Sequence, residues 1–262
     1  MTPPSVSAVL LAAGYGTRLY PLTKDCPKAL LPLGDATILD PIVELVANVP
    51  GLSKTILVTN HRFAKQFRAW KPRRPFALDV VDDQTATPES RLGAIRDLLL
   101  AIERIDPKDD LLVVGTDNLF AWSLKDFVAS ARAKRPAPTI AVGRAPSVEI
   151  ARQSGVVEVD ASDRVTRFLE KPADPPALTI AYCVYYFPAP MRARLLEFIQ
   201  TGGNVDAPGY LIAWLLTQEA VYAFEARGEW FDIGSLEAYR HAGEWWSRSP
   251  LSHASSPLIT GG

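Results

Sequence analysis

Strand-like and helix-like segments alternate through the first half of the chain, and that alternation constrains the fold more than any other feature. The runs "SAVLLAA", "TILVTN", "FALDVV" and "DLLVVGTD" are short, apolar and of the kind that forms buried strands. Between them lie "ILDPIVELVANV", "RFAKQFRAW" and "LGAIRDLLLAIERI", and "LKDFVASARA" follows. In "LGAIRDLLLAIERI", Leu92, Ile95, Leu98, Leu99, Ile102 and Ile105 fall on one helical face. Strands separated by helices run parallel and need helices on both sides, so the chain reads as α/β with a mostly parallel sheet. Beyond Pro136 the pattern becomes strand-rich, through "PTIAVGRA", "GVVEVDASDRVTRFLEK" and "TIAYCVYYF", with "ASDR" as a hairpin turn. Helices are expected near Met191 to Gln200 and Tyr210 to Gln218, then a strand "VYAFEA". At 262 residues, 48% of them hydrophobic, the chain can bury a full core.

In an open parallel sheet, ligands bind outside the carboxyl ends of the strands. The first strand ends there in "AAGYGTR", where Gly14 and Gly16 expose backbone N–H groups and Arg18 adds a charge. Taken alone, such a glycine pair reads more simply as a tight turn beside a surface arginine. It is not the dinucleotide fingerprint, because the third glycine is missing and the loop runs on through Pro21 and Pro27. Nor is it a P-loop, since no "GK[ST]" follows. A long loop carrying Arg18 and Lys28 suits a triphosphate wrapped by two cations. "LLVVGTDNLF" ends a strand in Asp117, which alone reads as a turn or helix-cap aspartate. "GEWFDIGSLEAY" places Asp232 before a helix start capped by Ser235. Two carboxylates converging on one cleft would hold a hard divalent cation, with substrate phosphate oxygens completing its shell.

A formal net charge of -1 gives no general attraction to polyanions, so neither nucleic acid nor membrane is an expected partner. The two cysteines, Cys26 and Cys183, and three histidines form no soft-ligand cluster. The apolar run near the N-terminus is short and lacks a basic flank, so the expected location is the cytoplasm. His61 in "VTNHRF" reads as a strand-end or helix-start residue, "KPRRP" from Lys71 to Pro75 as a solvated loop, and Tyr182, Tyr185, Tyr186 and Phe187 as core and pocket wall.

"LLAAGYGTRLYPLTKDCPKALLPLGDATILD" resembles the signature of the sugar-1-phosphate nucleotidyltransferases, or nucleoside-diphosphate-sugar pyrophosphorylases. "GTDNLF", "FLEKP" and "WFDIGSLEAY" follow in that family's order. The resemblance covers roughly residues 6 to 245 and implies a three-layer, Rossmann-like α/β/α fold with a strand-rich sugar-binding lobe. It implies one domain over residues 1–245, nucleotide-binding to about residue 116 and sugar-phosphate-binding from about 117, and then a flexible tail over 246–262. By the same resemblance, Gly14, Gly16 and Thr17 would contact nucleotide phosphates, and Leu11, Ala12 and Ala13 would line the base and ribose. Arg18 and Lys28 would neutralise the triphosphate, while Asp117 and Asp232 would bind Mg²⁺. Glu170 and Lys171 would face the sugar and its phosphate, Gly155 would offer the sugar an N–H, and Gly93 would approach the base, with Gln84 a further contact. Two positions depart from the pattern: Thr116 separates the usual glycine from Asp117, and Cys183 stands where many members have glycine.

The implied reaction condenses a nucleoside triphosphate with a sugar 1-phosphate, releasing pyrophosphate. The partners are those two substrates and Mg²⁺, with dTTP or UTP favoured because the chain is compact, and the assembly a monomer or small homo-oligomer. GTP, CTP, ATP or a non-sugar phosphate are alternatives. A non-catalytic regulatory subunit that binds nucleotide sugars is another, as is a sugar-transferring enzyme. The attacking phosphate is already ionised at neutral pH, so such a site needs cations and metal carboxylates rather than a Ser/His pair.

Overall fold

The computed structural model describes residues 4–70 and 76–249. The basic run Lys71 to Pro75 and residues 250–262 lie outside the described residues. The first half runs β1 (Val6–Leu11), β2 (Pro32–Leu33), β3 (Ala36–Thr37), α1 (Leu39–Ala47), β4 (Leu52–Thr59), α2 (His61–Ala69), β5 (Asp79–Asp82), α3 (Ala94–Ile102) and β6 (Asp110–Gly115). There follow β7 (Asn118–Phe120), α4 (Leu124–Ala133), β8 (Thr139–Arg144), α5 (Val148–Arg152), β9 (Gly155–Val159), β10 (Val165–Glu170) and β11 (Thr179–Phe187). The chain closes with α6 (Met191–Gln200), α7 (Pro208–Leu215), β12 (Tyr222–Glu225), β13 (Trp230–Asp232) and α8 (Leu236–Arg248).

Among the described residues nine strands form the central sheet. Strands β6, β1, β4 and β5 pair in parallel, as expected of β-strands joined by helical crossovers. The long strand β11 then runs antiparallel to β6 and carries the β9–β10 hairpin and the β8–β12 pair. The change from parallel to antiparallel pairing coincides with the strand-rich second half of the sequence. Along β1, Ala8 and Leu10 face a core layer containing Ile42 of α1, Phe63 of α2 and Phe127 of α4. Val9 faces the opposite layer, with Ile95 of α3, Leu195 of α6 and Leu211 of α7. Each one-residue step swaps layers, as the period of a pleated strand requires, and three layers result.

Helix α3 is shorter than its apolar periodicity implies. Gly93 sits at φ 91, outside the helical region, so the helix begins at Ala94; Ile105 joins the core from the bend that follows the helix, while Leu92 is half-buried in the loop before it. At the other end of the chain, α8 continues to Arg248 with Trp246 fully buried, past residue 246 where the sequence reading begins a flexible tail. Ser235 caps α8 by accepting the N–H of Ala238. His61 opens α2 and meets Asp82 at 2.8 Å on the outer edge of the sheet. Tyr182 stacks on Trp230 with ring centroids 4.5 Å apart, and Tyr186 is fully buried.

Candidate active site

Backbone bonds from β1 onward hold the glycine loop against the sheet. The Ala12 N–H donates to the Val58 carbonyl at 2.8 Å, and Asn60, the cap of α2, donates from Nδ2 to the Ala13 carbonyl at 2.9 Å. Gly16 adopts φ 63, and its carbonyl accepts the Thr23 hydroxyl at 2.7 Å, closing the turn. A Cβ on Gly14 would meet nothing within 4 Å, so the backbone there faces open space. Leu11, Ala12, Ala13, Gly14, Gly16 and Thr17 all line one cleft of about 420 Å³, together with Arg18, Lys28, Gly93, Asp117 and Lys171.

Sheet register explains how Asp117 comes to this cleft. In the parallel β1–β6 pair Leu11 lies opposite Gly115, and Thr116 returns both its N–H and its hydroxyl to the Leu11 carbonyl. The residue inserted before Asp117 is thereby spent fastening the strand exit. Asp232 arrives by a second route. Strands β7 and β13 form a small antiparallel ribbon in which Asp232 lies opposite Asn118, and the Ile233 N–H donates to the Asp117 carbonyl at 3.0 Å. Lys28, held in a single helical turn after Pro27, extends between the two carboxylates. Its Nζ lies 3.4 Å from Asp117 Oδ2 and 3.9 Å from Asp232 Oδ1, with the side chain 12% exposed. Arg18 reaches across the cleft and donates from Nη1 to Gln153 Oε1 at 2.8 Å, beside Gly234.

These charges set one another's protonation. Burial works to raise the pKa of Asp117, but the ammonium of Lys28, through charge and hydrogen bond, overcomes it and holds this carboxyl below its ordinary value. Asp232 is pushed the other way, by burial first and then by the charge of Asp117, with Lys28 and Arg18 only partly offsetting both. The pair thus carries more negative charge than one lysine balances. Among the described residues no group of three or more His, Cys, Asp or Glu could hold a metal. Two carboxylates facing a common point are nonetheless a hard-oxygen set that suits Mg²⁺ when phosphate oxygens supply the remaining ligands.

Glu170 and Gly155 lie opposite one another in the β9–β10 hairpin. A Cβ on Gly155 would come within 2.3 Å of the Phe168 ring, so that glycine makes room for packing. Burial raises the pKa of Glu170, with Lys171 opposing. Lys171 takes a left-handed backbone at φ 48, its N–H donates to the Ser154 carbonyl at 3.0 Å, and the residue lines the cleft. Cys183 also lines it, at φ 54, which explains why glycine suits this position; its Sγ occupies the space beside Gly115 that a Cβ there would need.

Gln84 is a correction. It sits at φ 65 on an exposed turn, and its side chain reaches back toward the Asp82 carbonyl instead of lining the cleft. Asp83 and Asp97 line that end of the cleft, beside Gly93. The sequence reading also misses Gln153, the partner of Arg18, and the ion pair of Arg91 Nε with Asp206 Oδ1 at 2.9 Å, both of whose residues line the cleft. One signal for Asp97 was available: it is a carboxylate on the buried face that Ile95, Leu98 and Ala101 form.

The family model described as nucleotidyl transferase matches residues 7–246. The chain is 27% identical to the glucose-1-phosphate adenylyltransferase of Corynebacterium diphtheriae, over 91% of this chain and 62% of that one. It is 27% identical to the mannose-1-phosphate guanyltransferase of Pichia angusta, over 97% of this chain and 68% of that one. It spans less than two thirds of the length of the Corynebacterium diphtheriae adenylyltransferase and of one from Rhodopirellula baltica, 62% and 58%. A UDP-glucose pyrophosphorylase solved with UDP-glucose superposes with a TM-score of 0.77, covering 93% of this chain and 99% of that one at 19% identity.

Proposed function

The chain belongs to the nucleotidyl transferase family, and on that premise we propose that it joins a nucleoside triphosphate to a sugar 1-phosphate, releasing pyrophosphate. The observation that carries this reading is the meeting of Lys28, Asp117 and Asp232 beneath the glycine loop, with Arg18 on the rim of the same cleft. Both reactants are anions, and the work of the site is to bring them together and hold them in line.

The loop from Leu11 to Thr17 takes the nucleotide, its open backbone at Gly14 turned to the phosphates. Arg18 and Lys28 neutralise the triphosphate. Glu170 and Lys171 orient the sugar 1-phosphate, one toward hydroxyls and the other toward phosphate, above the hairpin that Gly155 allows to pack. An ionised phosphate oxygen attacks the α-phosphorus. The bond from that phosphorus to the oxygen bridging the β-phosphate breaks, and its electron pair leaves with pyrophosphate. No proton need be removed and no covalent enzyme intermediate forms. Asp117 and Asp232 would hold Mg²⁺, which supplies charge neutralisation at the phosphate oxygens. Lys28 bridges the two carboxylates in the free chain and from there can extend its ammonium to the triphosphate.

The relatives act on glucose 1-phosphate and mannose 1-phosphate by name, and hexose 1-phosphates are accordingly the first acceptors to test. The preference for dTTP or UTP rested on chain compactness, and no group at the site carries it. The test is a grid of triphosphates against sugar 1-phosphates, read as Mg²⁺-dependent pyrophosphate release. Release that needs both substrates is expected; a folded, nucleotide-binding protein that releases none across the grid would make the regulatory-subunit reading the better one.

A further inference from the structure

We propose that Asn60 is a positioning residue that aims the Gly14 N–H of the glycine loop at the triphosphate, an assignment that rests on the nucleotidyl-transfer reading above. Asn60 follows β4 and is fully buried, and both ends of its amide are engaged. Its Oδ1 accepts the Phe63 N–H at 3.2 Å, capping α2, and its Nδ2 donates to the Ala13 carbonyl at 2.9 Å. The amide cannot be turned over, because the flipped group would set an oxygen against a carbonyl and an amino group against an N–H.

The bond from Nδ2 fixes more than Ala13. The Ala13 carbonyl and the Gly14 N–H belong to one peptide unit, which is trans, so the two point in opposite directions. With the carbonyl drawn inward to a buried side chain, the N–H is turned outward. Gly14 is exposed and lines the cleft, and among the described residues no group accepts its N–H. Such a free backbone donor at a cleft wall suits an anionic oxygen. Tyr15 pins the other side of Gly14: it is 6% exposed, and its hydroxyl lies 3.1 Å from that of Thr85. The two anchors are themselves joined, since the His61 N–H donates to the Thr85 carbonyl at 2.8 Å and the Asp83 N–H to the Thr59 carbonyl at 2.9 Å. Gly14 is thereby clamped through both neighbours onto one frame, built from the exits of β4 and β5.

A donor fixed before the ligand arrives need not be ordered when it binds, which is how a preorganised contact gains over a mobile one. Asn60 also caps a helix, and substitution separates the two roles. Serine and aspartate cap helices about as well as asparagine. Neither supplies the amide donor: serine ends one bond short of it, and aspartate sets a carboxylate oxygen against the Ala13 carbonyl and adds negative charge beside the loop. If Asn60 only capped α2, both changes would leave ligand binding as it was. If it aims Gly14, both weaken binding, and aspartate weakens it more.

The experiment measures binding of ATP, GTP, CTP, UTP and dTTP with Mg²⁺ to the full native chain, carries the best-bound triphosphate forward to Asn60→Ser and Asn60→Asp, and follows pyrophosphate release with glucose 1-phosphate and mannose 1-phosphate. Circular dichroism and Tm establish that folded proteins are compared. Asn60→Ser is expected to bind the triphosphate about tenfold more weakly, and Asn60→Asp more weakly still, while the KM for the hexose 1-phosphate at saturating triphosphate stays within about twofold of native. Gly14→Pro removes the N–H itself, so combining it with Asn60→Ser should cost no more than the larger single change. Should Gly14→Pro fail to fold, the two Asn60 variants decide alone. Native triphosphate affinity in folded Asn60→Ser, an equal loss toward the hexose 1-phosphate, or fully additive losses with Gly14→Pro would overturn the assignment and leave nucleotidyl transfer standing. Triphosphate binding that depends on Asn60 in a chain releasing no pyrophosphate with either acceptor would do the reverse, and a native chain that binds no triphosphate refutes both.

Discussion

Individual side chains in the cleft act mainly through charge. At an effective dielectric near 20, unlike charges about 4 Å apart attract by roughly 4 kcal/mol, and about 2.7 kcal/mol of lost transition-state stabilisation is roughly a hundredfold in rate. Arg18→Ala, Lys28→Ala, Asp117→Ala and Asp232→Ala are each expected to lower kcat on the order of a hundredfold while retaining the native circular dichroism. Asp97 makes a different prediction. Its pKa rises from 3.8 to about 7 on folding, so the native state binds more protons than the unfolded chain between those values. Stability therefore falls as pH climbs through that window and levels off above it. Asp97→Asn, a neutral mimic of the protonated acid, should match the native chain near pH 4 and exceed it by on the order of a few kcal/mol at pH 8, read by urea unfolding. Lys28, Asp117 and Asp232, which the structure brings together, each sit in a short motif that the sequence shows. The meeting of Asp83 and Asp97 was not legible, because it depends on how the exit of β5 faces α3, which neither segment encodes alone.

At the scale of elements, the β7–β13 ribbon decides whether the two carboxylates meet. "NLF" and "WFD" are three residues each, too short for periodicity to reveal, and they lie over a hundred positions apart, so their pairing was invisible before the structure. Trp230 holds the ribbon to the main sheet by stacking on Tyr182. Trp230→Ala is expected to cost about 1–3 kcal/mol in urea unfolding and to lower kcat at least about tenfold by releasing Asp232, with a smaller effect on nucleotide binding. Gly93 is a second element-scale constraint. At φ 91, with Val205 carbonyl oxygen 2.5 Å from where a Cβ would sit, Gly93→Ala should destabilise the fold by roughly 2 kcal/mol or more, seen as a lower Tm. Helices α4 and α6, by contrast, span the segments read as helical in the sequence.

Across the whole molecule, the parallel half and the antiparallel half share β11 and are tied again at the cleft. The N–H groups of Ala94 and Ile95 donate to the carbonyls of Asp206 and Val205, while Arg91–Asp206 and Arg18–Gln153 bridge the rim. Such ties should make both halves unfold together, giving one calorimetric transition whose midpoint rises with nucleotide. Alternation alone foretold the layered sheet, but not the reversal at β11, since apolar runs carry no direction. The central claim is that Lys28, Asp117 and Asp232 form one machine for bringing two anions together. Its most direct test is the steady-state rate of pyrophosphate release by the native chain and by folded Asp232→Asn, each titrated with Mg²⁺. The account predicts a rate in the variant lower by about a hundredfold and a weaker Mg²⁺ response; an unchanged rate with an unchanged Mg²⁺ midpoint would contradict it.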